Sequence, residues 1–302
     1  DMKAEGYLSG DMAAVFPLAN LRLRMATEDL HVAALITPPA PATARPNSGE
    51  QLQIADKELT EDEADLGPFW YSVNPVSSGD LLVYPPVPSL QNVATEQDAT
   101  IGQTRTAITN PFAIQLPIHL ATGKLDGIFL LGDWLREDAA IVRFEKIRDV
   151  RPPAEIGFSG ALGPGRYAES IYWKILDAGL PLVPLAGTGT RLIHPDSTWA
   201  SAAIGYNRTY AIGSPKYDDD RRLNPVESES EYYNAVWAGR SVITNGPLLR
   251  PTLGGYAPGH RFGARACESL EMGVELHLAV RDPVEYLEVI HNGEIFYSAR
   301  LD

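Results

Sequence analysis

The stretch SGDMAAVFP, residues 9–17, decides how this chain is read. Ser-Gly-Asp-hydrophobic is where a strand opening near Tyr7-Leu8 ends, and it places the Asp11 carboxylate at the strand's C-terminal end. Ala13, Ala14 and Val15 follow, and Pro17 suits the first turn of a helix, where a missing N–H is no loss. Leu18, Leu21 and Met25 then fall at spacings of three and four, on one helical face. LHVAALI (30–36) is apolar on both parities, as a strand buried on both faces is.

The same unit recurs. FAIQLPIHLATGKLDGIFLL predicts a helix that stops near Gly123 and a strand over 127–131. PGRYAESIYWKILDAGLPLVPLAG carries a stripe of Tyr167, Ile171 and Ile175, a stop at Gly179 and a strand over 180–185. SEYYNAVWAGRSVITNG adds a stop at Gly239 and a strand over 241–244. Glycine just past a helix can take the left-handed conformation that closes it. Repeated helix–strand units imply a mainly parallel sheet, open or closed into a barrel. From about Pro251 the grammar becomes β. Val274, Leu276 and Leu278 alternate with Glu275, His277 and Ala279, and His291-Asn292-Gly293 separates two strand-like runs, a strong hairpin signal. Residues 37–50 and 84–100 read as a loop and a long connection, 56–65 as an acidic solvated helix or turn, and 218–231 as a charge-rich surface segment.

With 302 residues the chain is long enough for about two domains. Hydrophobic residues at 44% and charged residues at 21% are ordinary for a globular protein. A net charge of −14 disfavours nucleic acid and anionic membranes as partners. No apolar run is long enough for a membrane span. The single cysteine, Cys267, excludes an intramolecular disulfide framework and a cysteine-cluster metal site. The chain opens at Asp1 without a signal-peptide pattern and stops at Leu301-Asp302 inside a strand-like run, so it reads as a piece of a longer protein. Export to a periplasmic or extracellular space would need a signal peptide ahead of residue 1. Neither compartment nor oligomeric state follows from the sequence.

In parallel α/β sheets the chemistry gathers at the C-terminal ends of the strands. There the sequence places Asp11, Thr37-Pro38-Pro39, Gly132-Asp133-Trp134, AGTGT (186–190) and Asn245-Gly246. This rim has carboxylates, hydroxyls and an amide but no histidine. The six histidines form no His-X-His or His-X3-His pair, whereas a multinuclear hydrolytic site needs a dense ligand set. His31, beside Glu28 and Asp29, has two readings: a metal ligand or acid–base group, or a buried strand histidine held by a carboxylate. His277 and His291 read as surface positions and His194 as a loop residue. No Gly-X-Ser-X-Gly elbow is present. AGTGT could offer an anion nest of backbone N–H groups, or be a tight loop; it lacks the Lys of a phosphate-binding loop. Arg208, in GYNR, could hold a carboxylate or phosphate, or bridge to an internal acid.

Four stretches carry a family resemblance: GYLSGDM (6–12), ATEDLHVAALIT (26–37), IGYNRTYA (204–211) and WAGRSVITNGPLL (237–249). LATGKLDGI and ILDAGLPLVPLAGTGT fall between them in order. On these residues the chain resembles PHP-type (polymerase and histidinol phosphatase) metallohydrolases of the CehA/McbA-like branch. The likeness is weak from residue 38 to about residue 107. It implies an α/β fold: a distorted parallel β/α barrel, PHP-like, over residues 1–250, followed by a small antiparallel β module over residues 251–302. It also implies three metal motifs whose ligands are missing here. Ala13 and Val15 hold the places of a His-X-His pair. An Asp-His-Asn motif aligns near Pro38-Pro39, and a Ser-Asp-X-His motif at Thr188-Gly189-Thr190.

The leading expectation is therefore a catalytically degenerate pseudoenzyme with no cofactor. It would bind a small molecule, a carbohydrate or a protein partner in the barrel cleft through Asp11, Glu28, His31, Asn207, Arg208 and Asn245. The alternative is a hydrolase of esters or phosphoesters, with one divalent zinc, manganese or iron held by Asp11, His31 and another carboxylate such as Asp133. A third reading is a purely structural module of a larger extracellular protein.

Overall fold

The computed structural model describes residues 2–3, 5–14, 21–36, 70–72, 76–78, 80–84, 104–133, 158, 163–189, 204–216, 221–280 and 283–301. The described elements are β1 (Tyr7–Ala14), α1 (Leu21–Thr27), β2 (Val32–Leu35), β3 (Trp70–Ser72), β4 (Val76–Ser78), β5 (Leu81–Tyr84) and β6 (Arg105–Ile108). After these come α2 (Leu116–Ala121), β7 (Gly127–Leu131), α3 (Gly163–Asp177), β8 (Val183–Ala186), β9 (Arg208–Ile212), α4 (Glu229–Trp237) and β10 (Ser241–Thr244). The chain continues with β11 (Leu248–Leu253), β12 (Val274–Ala279), β13 (Tyr286–His291) and β14 (Glu294–Arg300).

Two five-stranded sheets dominate, ordered β10-β9-β1-β2-β3 and β4-β5-β6-β7-β8. The expected parallel barrel is not formed. In the first sheet β1–β2 and β2–β3 are parallel, but β9 runs antiparallel to both β1 and β10. In the second, β6–β7 and β7–β8 are parallel while β4–β5 and β5–β6 are antiparallel. The described residues hold four helices against fourteen strands, and no barrel closes. The described part of the chain is mostly β. The reason is visible at β1: β9 takes the edge that the next parallel strand of a barrel would need, pairing Gly10 with Thr209.

The two sheets face each other across one apolar core. Leu8 and Met12 from β1, Phe129 from β7, Leu185 from β8, and Tyr232 and Val236 from α4 meet there, all fully buried. Leu21 and Met25 of α1 cover the outer side of β1 and β2 with Ala14, Ala33 and Leu35. Tyr172 and Ile175 of α3 and Leu116 of α2 cover the outer side of β6 and β7. Pro17 and Leu18 lie outside the described residues, as do Thr37–Pro39, Val15 and His194. The helix stops read from the sequence hold: Gly123, Gly179 and Gly239 have φ of 64°, 78° and 75°. At the start of α4, Ser228 Oγ accepts the Glu231 N–H, and Glu231 reaches back to accept the Glu227 N–H, a reciprocal cap.

Small residues set how closely the layers approach. A Cβ on Gly10 would stand 2.2 Å from the Tyr232 hydroxyl. β1 does not end at Asp11 as expected; it runs on to Ala14 through a bulge. Asp11 opposes Ala33 and Ala14 opposes Leu35, so β1 has one extra residue in that interval. β7 bulges at the same end against β8, between Phe129 and Leu131. Such bulges re-aim side chains at sheet ends.

The C-terminal part consists of two hairpins, β11–β12 and β13–β14, as separate two-stranded sheets. Strand β11 starts at Leu248, so it straddles the boundary expected at residue 250. Asn292 and Gly293 make the second hairpin's turn, with φ of 52° and 75°. No helix among the described residues is long and apolar enough to cross a membrane.

The closest approach gives a test. A Cβ on Gly187 would lie 2.5 Å from Ala13 Cβ and 2.8 Å from both Ala13 N and Phe129 Cε1. Replacing Gly187 by Ala should therefore destabilise the fold by about 1–3 kcal/mol, through forced overpacking. Urea denaturation checks this, and an unchanged midpoint would show that the strands are not in contact there.

Candidate functional site

The bulge in β1 has a chemical consequence. It turns the Ala13 N–H onto Asp11 Oδ1 at 3.1 Å. The Thr188 N–H, from the loop after β8, reaches the same oxygen at 3.0 Å, and the Gly205 N–H, from the turn before β9, reaches Oδ2 at 3.0 Å. The Thr188 side chain adds a further hydrogen bond. Asp11 is 0% exposed. Burial pushes its carboxyl above the ordinary carboxylate range, and the bonds from Thr188, Gly205 and Ala13 pull it back. Within residues 186–189 only the Thr188 N–H turns to Asp11; the Gly187 and Gly189 N–H groups donate to the Leu131 and Ala13 carbonyls, so this stretch is a tight loop rather than a nest of N–H groups.

Asn207 extends the same centre. It is fully buried, donates through Nδ2 to the carbonyls of Gly132 (2.9 Å) and Gly187 (3.2 Å), and donates its backbone N–H to Thr188 Oγ1. Its Oδ1 is buried with no hydrogen-bond partner among the described residues. An unmet acceptor of this kind costs about 1–3 kcal/mol, so the two donors must outweigh it. Asp133, also buried, follows Gly132 directly. Asp11, Asn207 and Asp133 therefore belong to one end of the two sheets.

Glu28, His31 and Arg208 form a second group. Arg208 Nη2 lies 3.4 Å from Glu28 Oε2, while its Nε donates to the Gly205 carbonyl. Gly205 thereby joins the two groups, accepting from Arg208 and donating to Asp11. Ser9, not singled out from the sequence, and Asp29, read there as a carboxylate beside His31, complete this second group. Ser9 Oγ lies 3.0 Å from His31 Nδ1, and His31 Nε2 lies 4.0 Å from Asp29 Oδ1. The residue types match a nucleophile–base–acid set, but the bonding does not. Ser9 donates its proton to the Asp29 carbonyl and is 2% exposed, so its hydroxyl is engaged by the backbone and closed to a substrate. Asp29 closes α1 in the left-handed conformation, at φ 51°. Asn245 stands apart, exposed in the turn after β10.

The hydrolytic arrangement of Asp11, His31 and Asp133 is not assembled around a common point. Asp11's oxygens face backbone donors and the Thr188 hydroxyl, while His31 sits beside Ser9, ahead of β2. No group of three or more His, Cys, Asp or Glu side chains able to hold a metal occurs among the described residues. The barrel expectation is corrected above, and the metallohydrolase expectation finds no support among the described residues. Ala13, at the place of an expected imidazole, is pressed against Gly187. Thr188 spends its N–H on Asp11 where a third metal motif was expected. Comparison with protein-family models, with curated proteins and with solved structures finds no match for this chain, so the resemblance gains no support from them.

Two outcomes test this geometry. Replacing Asp11 by Ala strands three buried N–H groups and should cost about 3–5 kcal/mol, the range for breaking a buried charged cluster; a loss under about 1 kcal/mol in denaturant titration would contradict it. The second outcome concerns pH. Burial holds the His31 imidazole below its usual 6.5; Asp29 works against that, and Lys3 and Arg208 reinforce it. The unfolded chain then binds more protons, so His31's contribution to stability is complete above pH 6.5 and is lost as pH falls below it. His31→Gln should flatten the stability profile in that window, and an unchanged slope would show that His31 titrates normally.

Proposed function

We propose that this chain works by binding a small molecule or a protein partner, and that the Asp11 centre is structural rather than catalytic. One observation carries the reading. Both Asp11 oxygens are engaged by buried N–H groups of the chain itself, so the best-placed carboxylate has no face to offer a metal or a substrate. A general base needs a reachable lone pair, and a metal ligand needs an open donor at about 2.0–2.2 Å from the ion. Donors clamped from three strand ends supply neither. The Ser9–His31–Asp29 set supports the same reading, because the Ser9 hydroxyl is buried and donates to the Asp29 carbonyl.

Metal analysis of chain purified without chelator, together with hydrolysis of p-nitrophenyl phosphate and p-nitrophenyl acetate in added zinc, manganese or iron, tests this. The expected result is substoichiometric metal and no metal-dependent turnover. A stoichiometric ion lost together with turnover in Asp11→Asn would overturn the reading.

A further inference from the structure

We propose that the seam between the two C-terminal hairpins is a binding site for a small aromatic anion. This rests on the reading that the chain works by binding, and it names the place and the ligand class. A pocket of about 600 Å³ opens there, lined from β11, β12, β13, β14 and the loop between β11 and β12. That volume suits a small organic molecule, which typically takes about 300–1,000 Å³.

Three observations converge on it. First, the wall is built of rings that brace one another. Tyr256 and His260 stack at 4.1 Å with 23° between their planes, and Phe262 meets them edge-on at 5.6 and 4.7 Å. The wall is therefore set before a ligand arrives, and aromatic faces and edges favour an aromatic guest. Second, apolar side chains that the fold leaves open point to the same place: Leu270, Met272, Val274 and Phe296 are 43%, 37%, 52% and 77% exposed, and all four line this pocket. Third, the charge around the wall opposes that of the chain. His260 also lines an adjoining pocket of about 190 Å³ with Arg240 and Arg261, and Arg221 lies over the Tyr256 ring at 5.4 Å. In a chain of net charge −14, such a basic group beside an apolar pocket selects an anionic substituent on the His260 side.

The probe is 1-anilinonaphthalene-8-sulfonate, an aromatic sulfonate, titrated into the full chain while fluorescence is followed. Saturable one-site binding is expected. Phe296→Ser and Val274→Ser, both at exposed positions, should weaken it roughly tenfold or more, the equivalent of one lost apolar contact. Ile295→Ser, 55% exposed and outside the pocket, should leave it unchanged. Cooperative thermal unfolding of each variant separates site binding from probe uptake by a loosened chain. Absence of saturable binding, or binding indifferent to the pocket variants, overturns the proposal. So does a dimer in sedimentation that Phe296→Ser dissociates, since a second copy would then occupy the seam. A metal-free, hydrolytically inert chain that fails this titration loses the pocket and keeps the binding reading; a metal-loaded hydrolase that still binds the probe does the reverse.

Discussion

A carboxylate sealed inside a protein must be given donors, and Asp11 takes them from three segments that meet at one end of the sheets. Its own strand supplies the Ala13 N–H, the loop after β8 supplies Thr188, and the turn before β9 supplies Gly205. Those last two lie 177 and 194 residues away in sequence. Since β8 belongs to one sheet and β1 and β9 to the other, the carboxylate ties the facing sheets at one end. Removing a charge from water is costly, and only a near-complete set of donors offsets it. The bonds of Asn207 to Gly132 and Gly187 extend this tie to the end of β7.

Close packing surrounds the polar tie. Gly10 admits the Tyr232 ring against β1, and Gly187 admits Ala13. Tyr232 then donates its hydroxyl to the Thr209 carbonyl, and Tyr84 donates to the Met12 carbonyl, so buried strand ends are satisfied by aromatic side chains from elsewhere in the chain. Small side chains near Asp11 thus have a structural use: they let two sheets meet where an open cleft was expected. The site that remains open is elsewhere, where hairpins leave apolar side chains uncovered.

Local features were legible because a few neighbouring residues set them. Glycine stops at 123, 179 and 239, the strands 127–131 and 241–244, and the Asn292-Gly293 hairpin need no distant partner. Strand direction was not legible. GYNRTYA gives no local sign that Arg208–Ile212 will pair antiparallel with Tyr7–Gly10, one of the antiparallel pairings that make these sheets mixed. The site was half legible. Asp11, the glycine-rich loop and the GYNR turn each stood out, but a backbone N–H has no side-chain signature, so nothing in sequence showed that Ala13, Thr188 and Gly205 would all donate to Asp11. Ser9 was missed because its bond to the Asp29 carbonyl is set by the close of α1 beside β1.

The central claim is that the Asp11 carboxylate holds the two sheets together through buried amides. Native-state hydrogen exchange of the Thr188 and Gly205 amides measures this most directly, because neither belongs to a strand ladder. Both should exchange only by global unfolding, as slowly as the core amides of β1 and β2. Exchange of either amide at the rate of an open loop, in a chain whose strands stay protected, would contradict it.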